Sequence, residues 1–207
     1  MKKKKTTEEI KNTTAWPFEL DQLPAFTWDA NFLTNEECDK LIALGKKLES
    51  KAGRIGGDAG HELKKNDKKR KSNIAWILPG EEVVWLYRRL CDGIKSLNHE
   101  YFHFDIFGAC ESIQFTHYKA PDGHYGAHMD RGTGIVVRKL SVSIQLSDPE
   151  AYEGGDLVLY ESGAATKLPR KRGMLILFPS WYVHEVTPVT KGERFSLVCW
   201  ITGKPFK

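Results

Sequence analysis

Two histidines and one aspartate have the residue types and the spacing of a metal site. His128 and Asp130 are two residues apart, and on an extended segment residues i and i+2 point to the same side. His184 offers a third ligand further along the chain. Two imidazoles and one carboxylate on one face of an iron ion leave its other positions open for small molecules, which is typical of non-haem Fe(II) oxygenases. The three residues therefore predict iron-dependent oxidation chemistry.

A His-x-Asp pair is weak support for a metal site when it stands alone. The chain contains a second such pair, His103 and Asp105. For His128 and His184 taken separately, the ordinary alternative is a hydrogen-bonded structural histidine, and the same ligand set also binds other divalent ions. The surrounding sequence has to decide between these interpretations.

The sequence around His128 carries an ordered series of further motifs. The series comprises Gln114-Phe115-Thr116-His117-Tyr118, Tyr125-Gly126-Ala127-His128-Met129-Asp130, Arg138-Lys139-Leu140-Ser141, Tyr152-Glu153-Gly154-Gly155-Asp156-Leu157, Phe178-Pro179-Ser180, His184-Glu185-Val186 and Gly192-Glu193-Arg194-Phe195-Ser196. It resembles the prolyl-4-hydroxylase-like branch of the iron- and 2-oxoglutarate-dependent dioxygenases, and most of all the PKHD-type hydroxylases. The resemblance is dense over about residues 110–202 and loose in the first half, where it rests on the segment from Phe32 to Leu44. His103-Phe104-Asp105 lacks such surroundings, so we expect a surface or loop position for that pair.

The resemblance implies a jelly roll whose open end holds Fe(II) through His128, Asp130 and His184. It implies 2-oxoglutarate and O2 as co-substrates, ascorbate as an added reductant, and succinate and CO2 as products of a reaction that hydroxylates an unactivated C–H bond. Related halogenases lack the carboxylate ligand, so the presence of Asp130 favours hydroxylation.

The resemblance also implies a basic residue that holds the far carboxylate of 2-oxoglutarate. Arg194, ten residues after His184, occupies that position. Independently, Arg194 and Ser196 share the polar face of a strand whose other face is apolar, and a buried guanidinium needs an anion such as a carboxylate. Tyr118 stands at the matching position for an assisting hydroxyl, and Gln114 shares its strand face and is expected to line the pocket. A surface ion pair for Arg194 and a core aromatic for Tyr118 are the alternatives.

The elements that position these residues follow from hydrophobic periodicity. Thr34 to Glu37 forms a capping-box pattern and predicts a helix to about Ser50, and Glu81 to Leu97 predicts a second helix. From Phe104 onward the period changes to two and predicts six or more short strands, including two strands (183–189 and 194–202) around a turn at Lys191-Gly192-Glu193. The predicted fold is mainly β with flanking helices: a double-stranded β-helix, or jelly roll, with N-terminal helices packed on it.

Length and charge set the domain organisation. The 207 residues predict a polar tail over 1–15 and one domain over 16–207, helical over about 32–100 and jelly roll over about 104–202. The formal net charge of +4 is concentrated in Lys2 to Lys5 and in the run from Lys64 to Lys71, so the remaining body is mildly acidic. The run from Lys64 to Lys71 lies within a glycine-rich loop over 52–72 that could act as a lid, and we expect it to be solvated. We expect the same of the cluster from Lys167 to Arg172.

Cysteine usage and hydropathy predict the compartment. The four cysteines show no CxxC pair and favour free thiols in a reducing cytoplasm. Apolar runs are far too short for a membrane span, and the start of the chain carries no secretory pattern.

Several further residues carry two interpretations each. We expect His117 to point away from the pocket and His124 to be a loop or pocket residue rather than a spare ligand. Trp200 shares the Arg194 face and either walls the pocket or packs in the core, while Trp181 and Tyr182 form either a substrate rim or a packed turn.

Three functions compete. The first is hydroxylation of an amino-acid, peptide or protein substrate, with proline as the first candidate by analogy. The second is oxidative demethylation of nucleic acid by an AlkB-like relative, with Lys64 to Lys71 on phosphates; the acidic body makes a nucleic-acid partner the weaker expectation. The third is a non-catalytic jelly-roll binding module. The sequence predicts no oligomeric state.

Overall fold

The computed structural model describes residues 23–54, 66–109, 111–130, 137–161 and 163–205. The predicted polar tail over 1–15, the centre of the predicted lid loop and Cys110 lie outside these ranges. In the described part of the chain, no helix combines the length and the apolar character that crossing a membrane requires.

The first helix, α1, begins as the capping box predicts. It spans Asn35–Lys47, and the backbone N–H of Glu37 donates to the Thr34 hydroxyl at 3.2 Å. In return, the Thr34 N–H donates to the Glu37 carboxylate at 2.9 Å. The reciprocal pair satisfies two N–H groups that the first turn would otherwise leave unpaired. The helix ends at Lys47, slightly before the predicted end at Ser50.

The second helix, α2, spans Val84–Leu97 and continues into a π-helical turn over Asn98–Phe102. It begins three residues later than predicted, because Glu81 to Val83 form a turn. Leu86, Leu90 and Ile94 are buried along one side, as helical spacing requires.

Strands make up most of the remaining described chain. They are β1 (Thr27–Asp29), β2 (Lys51–Ala52), β3 (Arg70–Lys71), β4 (Asn73–Ile77), β5 (Ile106–Ala109), β6 (Ile113–Lys119), β7 (Gly123–His128), β8 (Arg138–Gln145), β9 (Tyr152–Gly154), β10 (Leu157–Glu161), β11 (Ala164–Lys167), β12 (Leu175–Pro179) and β13 (Val183–Gly203). All described pairings are antiparallel. The mainly β architecture with flanking helices confirms the predicted fold class.

Strand β13 joins two sheets. Its first half pairs with β10, β7 and β9, and its second half with β6, β8 and β5. The larger sheet runs β1-β12-β8-β13-β6-β4-β2. The predicted pair of strands around Lys191-Gly192-Glu193 is therefore wrong, because the chain continues as one strand through Gly192, whose φ of +73° is open to glycine.

The larger sheet has two faces with different partners. One face carries apolar residues that pack with the helices in a single core, including Phe115, Leu197, Leu41 and Leu86. The other face meets the smaller sheet, where Phe178 and Val186 belong to a second apolar cluster. The alternation along β13 is as predicted, since Arg194 and Ser196 fall on the face opposite to Leu197 and are buried.

Two basic clusters expected to be solvated are in part structural. Arg70 lies in β3, paired with β7, and is only 7% exposed, so the solvated-loop prediction is wrong for this residue. Arg170 donates to Asp156 and to the carbonyls of Pro149 and Tyr152, which corrects the solvated-hairpin prediction there. Lys167, by contrast, remains largely exposed beside Asp156.

Candidate metal centre and carboxylate pocket

The two histidines meet because β7 and β13 are neighbours. His128 ends β7 and lies opposite His184, near the start of β13. Asp130 follows two residues later, where its backbone N–H donates to the Ser180 carbonyl at 2.9 Å. The antiparallel pairing of these segments thus brings together residues that are distant in the chain.

The three side chains form a compact set of possible metal ligands. One nitrogen or oxygen atom from each of His128, Asp130 and His184 lies within 4.8 Å of the others. His184 Nε2 is 3.3 Å from Asp130 Oδ2, and His128 Nε2 is 3.6 Å from Asp130 Oδ1. Both Nδ1 atoms contact backbone carbonyls, of Gly126 at 2.9 Å and Tyr182 at 3.1 Å. Nδ1 thus donates to a carbonyl in both histidines, and both Nε2 atoms face the aspartate.

The charges inside this set favour a cation. Burial and the neighbouring His184 lower the pKa of His128 to about 4. Burial opposes the charged form of Asp130, yet the two histidines hold the pKa of its carboxyl below the usual range. Burial would lower the pKa of His184, but the Asp130 carboxylate outweighs it and raises that pKa. A divalent cation can replace the proton that His184 and Asp130 share, so the donor set fits a non-haem iron ion.

A pair of serines outside the predicted site residues supports the Asp130 carboxylate. The Ser141 hydroxyl donates to Asp130 Oδ2 at 2.9 Å, and Ser180 lies 3.0 Å from Ser141. Ser141 lies on β8 and Ser180 just after β12. The polar alternation of Ser141, Ser143 and Gln145 along a strand rich in apolar residues was the available signal.

Arg194 is buried in the same interior. Its side chain is 3% exposed, donates from Nη1 to the Ser196 hydroxyl at 3.3 Å, and leaves Nε unpaired. Within the ranges that the structure describes, no carboxylate forms an ion pair with it. An adjoining cavity is lined in part by Arg194, Ser143, Gln145, Leu157 and Ile176. A buried guanidinium with no described carboxylate partner fits a carboxylate ligand.

Tyr118 and Gln114 occupy the positions expected from strand periodicity. Tyr118 lies opposite Arg194 in the β6–β13 pairing, the guanidinium is 5.4 Å from its ring centroid, and burial raises the pKa of its phenol. Gln114 is buried on the same strand face, but its amide donates to the Thr116 hydroxyl at 2.8 Å.

The other histidines lie outside this set. His117 stacks on Phe195 at 4.4 Å and lies 3.4 Å from Glu193, so it points to the helix side as predicted. His124 contacts the carbonyls of Asp122 and Lys68. His103 and Asp105 are exposed, as expected for a pair without surrounding motifs.

The two tryptophans with alternative predicted roles lie in different surroundings. Trp200 is buried beside the metal set: its indole acts on the pKa of Asp130, and Arg138 lies 4.1 Å above its ring. It therefore lies beside Asp130, and the pocket-wall interpretation stays a prediction. Trp181 packs on Phe104 at 5.4 Å, which corresponds to the packed-turn alternative.

Arg70 and Tyr125 form a stack on the metal set that sequence reasoning missed. The Tyr125 ring lies 3.5 Å from the His128 ring, and the Arg70 guanidinium lies 4.4 Å from the Tyr125 centroid. A register shift in β7 between these two positions turns Tyr125 and His128 to the same side. Simple alternation places residues three apart on opposite faces, and Arg70 is hidden in a lysine-rich run.

Comparison with known proteins finds similar sequences among oxygenases. Residues 113–202 match the 2OG-Fe(II) oxygenase superfamily. A PKHD-type hydroxylase of Nitrosomonas europaea is 32% identical over 121 residues, which cover 55% of this chain and 53% of the relative. A PKHD-type hydroxylase of Shewanella oneidensis is 40% identical over 92 residues, covering 42% of this chain and 41% of the relative. The match thus spans about half, or less, of the length of these curated relatives.

Solved structures show the same fold. A Pseudomonas putida prolyl-4-hydroxylase aligns over 87% of this chain and 94% of its own, with a TM-score of 0.62 and 23% identity. A Trichoplax adhaerens prolyl hydroxylase, in complex with a peptide of hypoxia inducible factor, aligns over 86% of this chain and 84% of its own, with a TM-score of 0.70 and 21% identity. The predicted jelly roll and the resemblance to PKHD-type 2-oxoglutarate oxygenases are confirmed.

Proposed function

We propose that this protein is an Fe(II)- and 2-oxoglutarate-dependent hydroxylase of an unactivated C–H bond in a prolyl or other amino-acid side chain. The observation that carries the proposal is the convergence of ligand atoms from His128, Asp130 and His184 within 4.8 Å. Arg194 is buried in the same interior, its Nε has no hydrogen-bond partner, and no described carboxylate pairs with it. A binding module has no need of both a metal set and an unpaired guanidinium.

Each residue of the site then has a definite role. His128, Asp130 and His184 hold the metal, with both Nδ1 protons fixed on backbone carbonyls. Bound Fe(II) supplies the oxidation chemistry, in which O2-dependent decarboxylation of 2-oxoglutarate to succinate and CO2 is coupled to hydroxylation. Arg194 and Ser196 bind the far carboxylate of 2-oxoglutarate.

The remaining residues orient the co-substrate and keep the pocket dry. Tyr118 lies in register with Arg194 and offers its hydroxyl to the same carboxylate. Gln114 continues that wall. Apolar side chains of the second cluster, including Phe178 and Val186, exclude water between the sheets, and this strengthens the ionic contact of Arg194 because the local dielectric falls.

Succinate formation from 2-oxoglutarate tests the proposal. Wild type is assayed by NMR with Fe(II) and ascorbate beside Asp130→Ala and Arg194→Ala, with and without free proline, prolyl peptides and methylated oligonucleotides. We expect turnover that Asp130→Ala abolishes and that Arg194→Ala weakens while iron stays bound. A protein that fails to bind 2-oxoglutarate would contradict the proposal and would favour the non-catalytic binding module. If only an oligonucleotide stimulates turnover, the substrate is nucleic acid and not an amino-acid side chain. The need for ascorbate and the cytoplasmic location stay predictions.

A further inference from the structure

Arg70 is a second buried guanidinium beside the metal set. Its side chain is 7% exposed on β3. Its Nε donates to the Ser72 hydroxyl at 2.8 Å, and Nη1 reaches the Arg54 carbonyl at 3.4 Å. Among the residues whose structure is described, no carboxylate pairs with it. A guanidinium has five N–H donors, so these contacts leave hydrogen-bonding capacity for a ligand.

The position of Arg70 points toward the reacting centre. Its guanidinium lies 4.4 Å from the Tyr125 ring, which in turn lies 3.5 Å from the ring of His128. A small ligand that contacts Arg70 would therefore lie next to the metal set.

Among the described residues of the site, Arg70 has no carboxylate that balances its charge. With divalent iron and the dianion 2-oxoglutarate bound, Arg194 and Asp130 complete a neutral set. Nearby Arg138 is neutralised by Glu111, in contacts of 2.5 to 2.9 Å. A nearly buried cation without a compensating anion is costly, so a further negative group is expected when the site is full.

We propose that Arg70 binds a carboxylate of the primary substrate, and that the substrate is therefore a free amino acid or a peptide with a carboxylate close to the oxidised carbon. This rests on the proposed hydroxylase function and narrows its substrate class. The planar guanidinium matches a carboxylate in two parallel hydrogen bonds, while stacking on Tyr125 fixes its orientation. Arg70 is then a specificity residue, distinct from Arg194, which serves the co-substrate.

Pairs of matched acids and amides test the assignment of Arg70. The protein is loaded with Fe(II) and 2-oxoglutarate under anaerobic conditions, so that no turnover occurs. Binding of L-proline, N-acetyl-L-proline, a tripeptide ending in proline and a Pro-Glu dipeptide is measured by calorimetry. Each ligand is compared with its carboxamide, in which Gln replaces Glu for the dipeptide. We expect at least one acid to bind about 10- to 100-fold more tightly than its amide, as a charge-assisted bidentate contact provides.

Three variants test whether Arg70 binds the substrate carboxylate or only stabilises the structure. Arg70→Gln should reduce the affinity for the acid to that for the amide, and Arg70→Lys should keep part of the difference. Lys71→Gln removes one charge from the same strand at an exposed position, where Nζ contacts the Pro121 carbonyl, and should keep the whole preference. The 2-oxoglutarate affinity of Arg70→Gln should stay within about threefold of wild type, because Arg194 holds that ligand.

The outcomes distinguish this proposal from the hydroxylase proposal. If wild type binds acids and amides alike, or binds none of them, the assignment of Arg70 is wrong even though 2-oxoglutarate binds. If Arg70→Gln weakens the acid, the amide and 2-oxoglutarate together, Arg70 is structural and the assignment is also overturned. If 2-oxoglutarate does not bind to wild type at all, the hydroxylase proposal itself falls, and the carboxylate proposal falls with it.

Discussion

The two faces of the larger sheet differ in the polarity of the side chains that they bury. The face toward α1 and α2 is almost wholly apolar, with Phe115, Leu197 and Cys199 in one continuous core. The face toward the smaller sheet alternates apolar residues with buried polar ones, including Ser141, Gln145 and Arg194. Burial of polar groups opposes folding unless they find partners. The comparison shows that stability is concentrated on the helix side, and that the interior retains polar groups for ligands.

The largest effect on stability is expected on the helix side. Leu197→Ala removes a side chain that is 1% exposed and should lower the free energy of unfolding by about 2–5 kcal/mol. The affinity of the remaining folded protein for 2-oxoglutarate should be unchanged, because Leu197 faces away from the pocket. Urea unfolding and ligand titration check both quantities. A fall in 2-oxoglutarate affinity with unchanged stability would show that the two faces are not separate.

On the interior face of the same strand, Arg194→Met should affect ligand binding and not stability, which is the reverse of Leu197→Ala. It removes the unpaired charge at similar volume, so ligand-free protein should be at least as stable as wild type. The 2-oxoglutarate affinity should fall about 10- to 100-fold, because a charged hydrogen-bonded contact is lost. The same urea and titration experiments apply. A marked loss of stability without loss of affinity would assign Arg194 to the structure instead.

Ser141→Ala should weaken metal binding by about tenfold, since it removes the hydroxyl that orients Asp130 Oδ2. Ser143→Ala is the matched control. It lies two residues further along the same face and lines the cavity beside Arg194, so metal affinity should stay within about twofold. Competition with a chelator measures both variants. Equal losses of metal affinity in the two variants would show that Ser141 has no specific role in positioning Asp130.

Prediction from sequence succeeded where spacing and local pattern decide, and failed where pairing between distant segments decides. Arg194 and Tyr118 lie on the strand faces that periodicity indicates, and His128, Asp130 and His184 come together as the spacing and the resemblance predict. Ser180 reaches Ser141 only because β12 and β8 are neighbours, and no local pattern carries that information.

Irregular backbone and misleading composition explain the other misses. The register shift in β7 reverses the side to which Tyr125 points. Gly192 resembles a turn signal, although the strand passes through it. Arg70 lies among lysines that are typical of a solvated loop, and its burial depends on the pairing of β3 with β7.

The smallest expected effect is a pH-dependent change in stability that comes from His117 on the helix side of the larger sheet. Burial on the helix side lowers the pKa of His117, and Glu193 only partly opposes this. The folded state therefore binds fewer protons than the unfolded state as pH falls through the unfolded pKa of about 6.5, and stability is lost on the acid side. His117→Gln should remove this contribution, so the stability of the variant relative to wild type should improve by less than about 1 kcal/mol between pH 8 and about pH 5.5. Urea midpoints at the two pH values measure the change, and the comparison with wild type cancels the contribution of the metal-site histidines. A relative stability that worsens in acid would mean that the Glu193 contact outweighs burial.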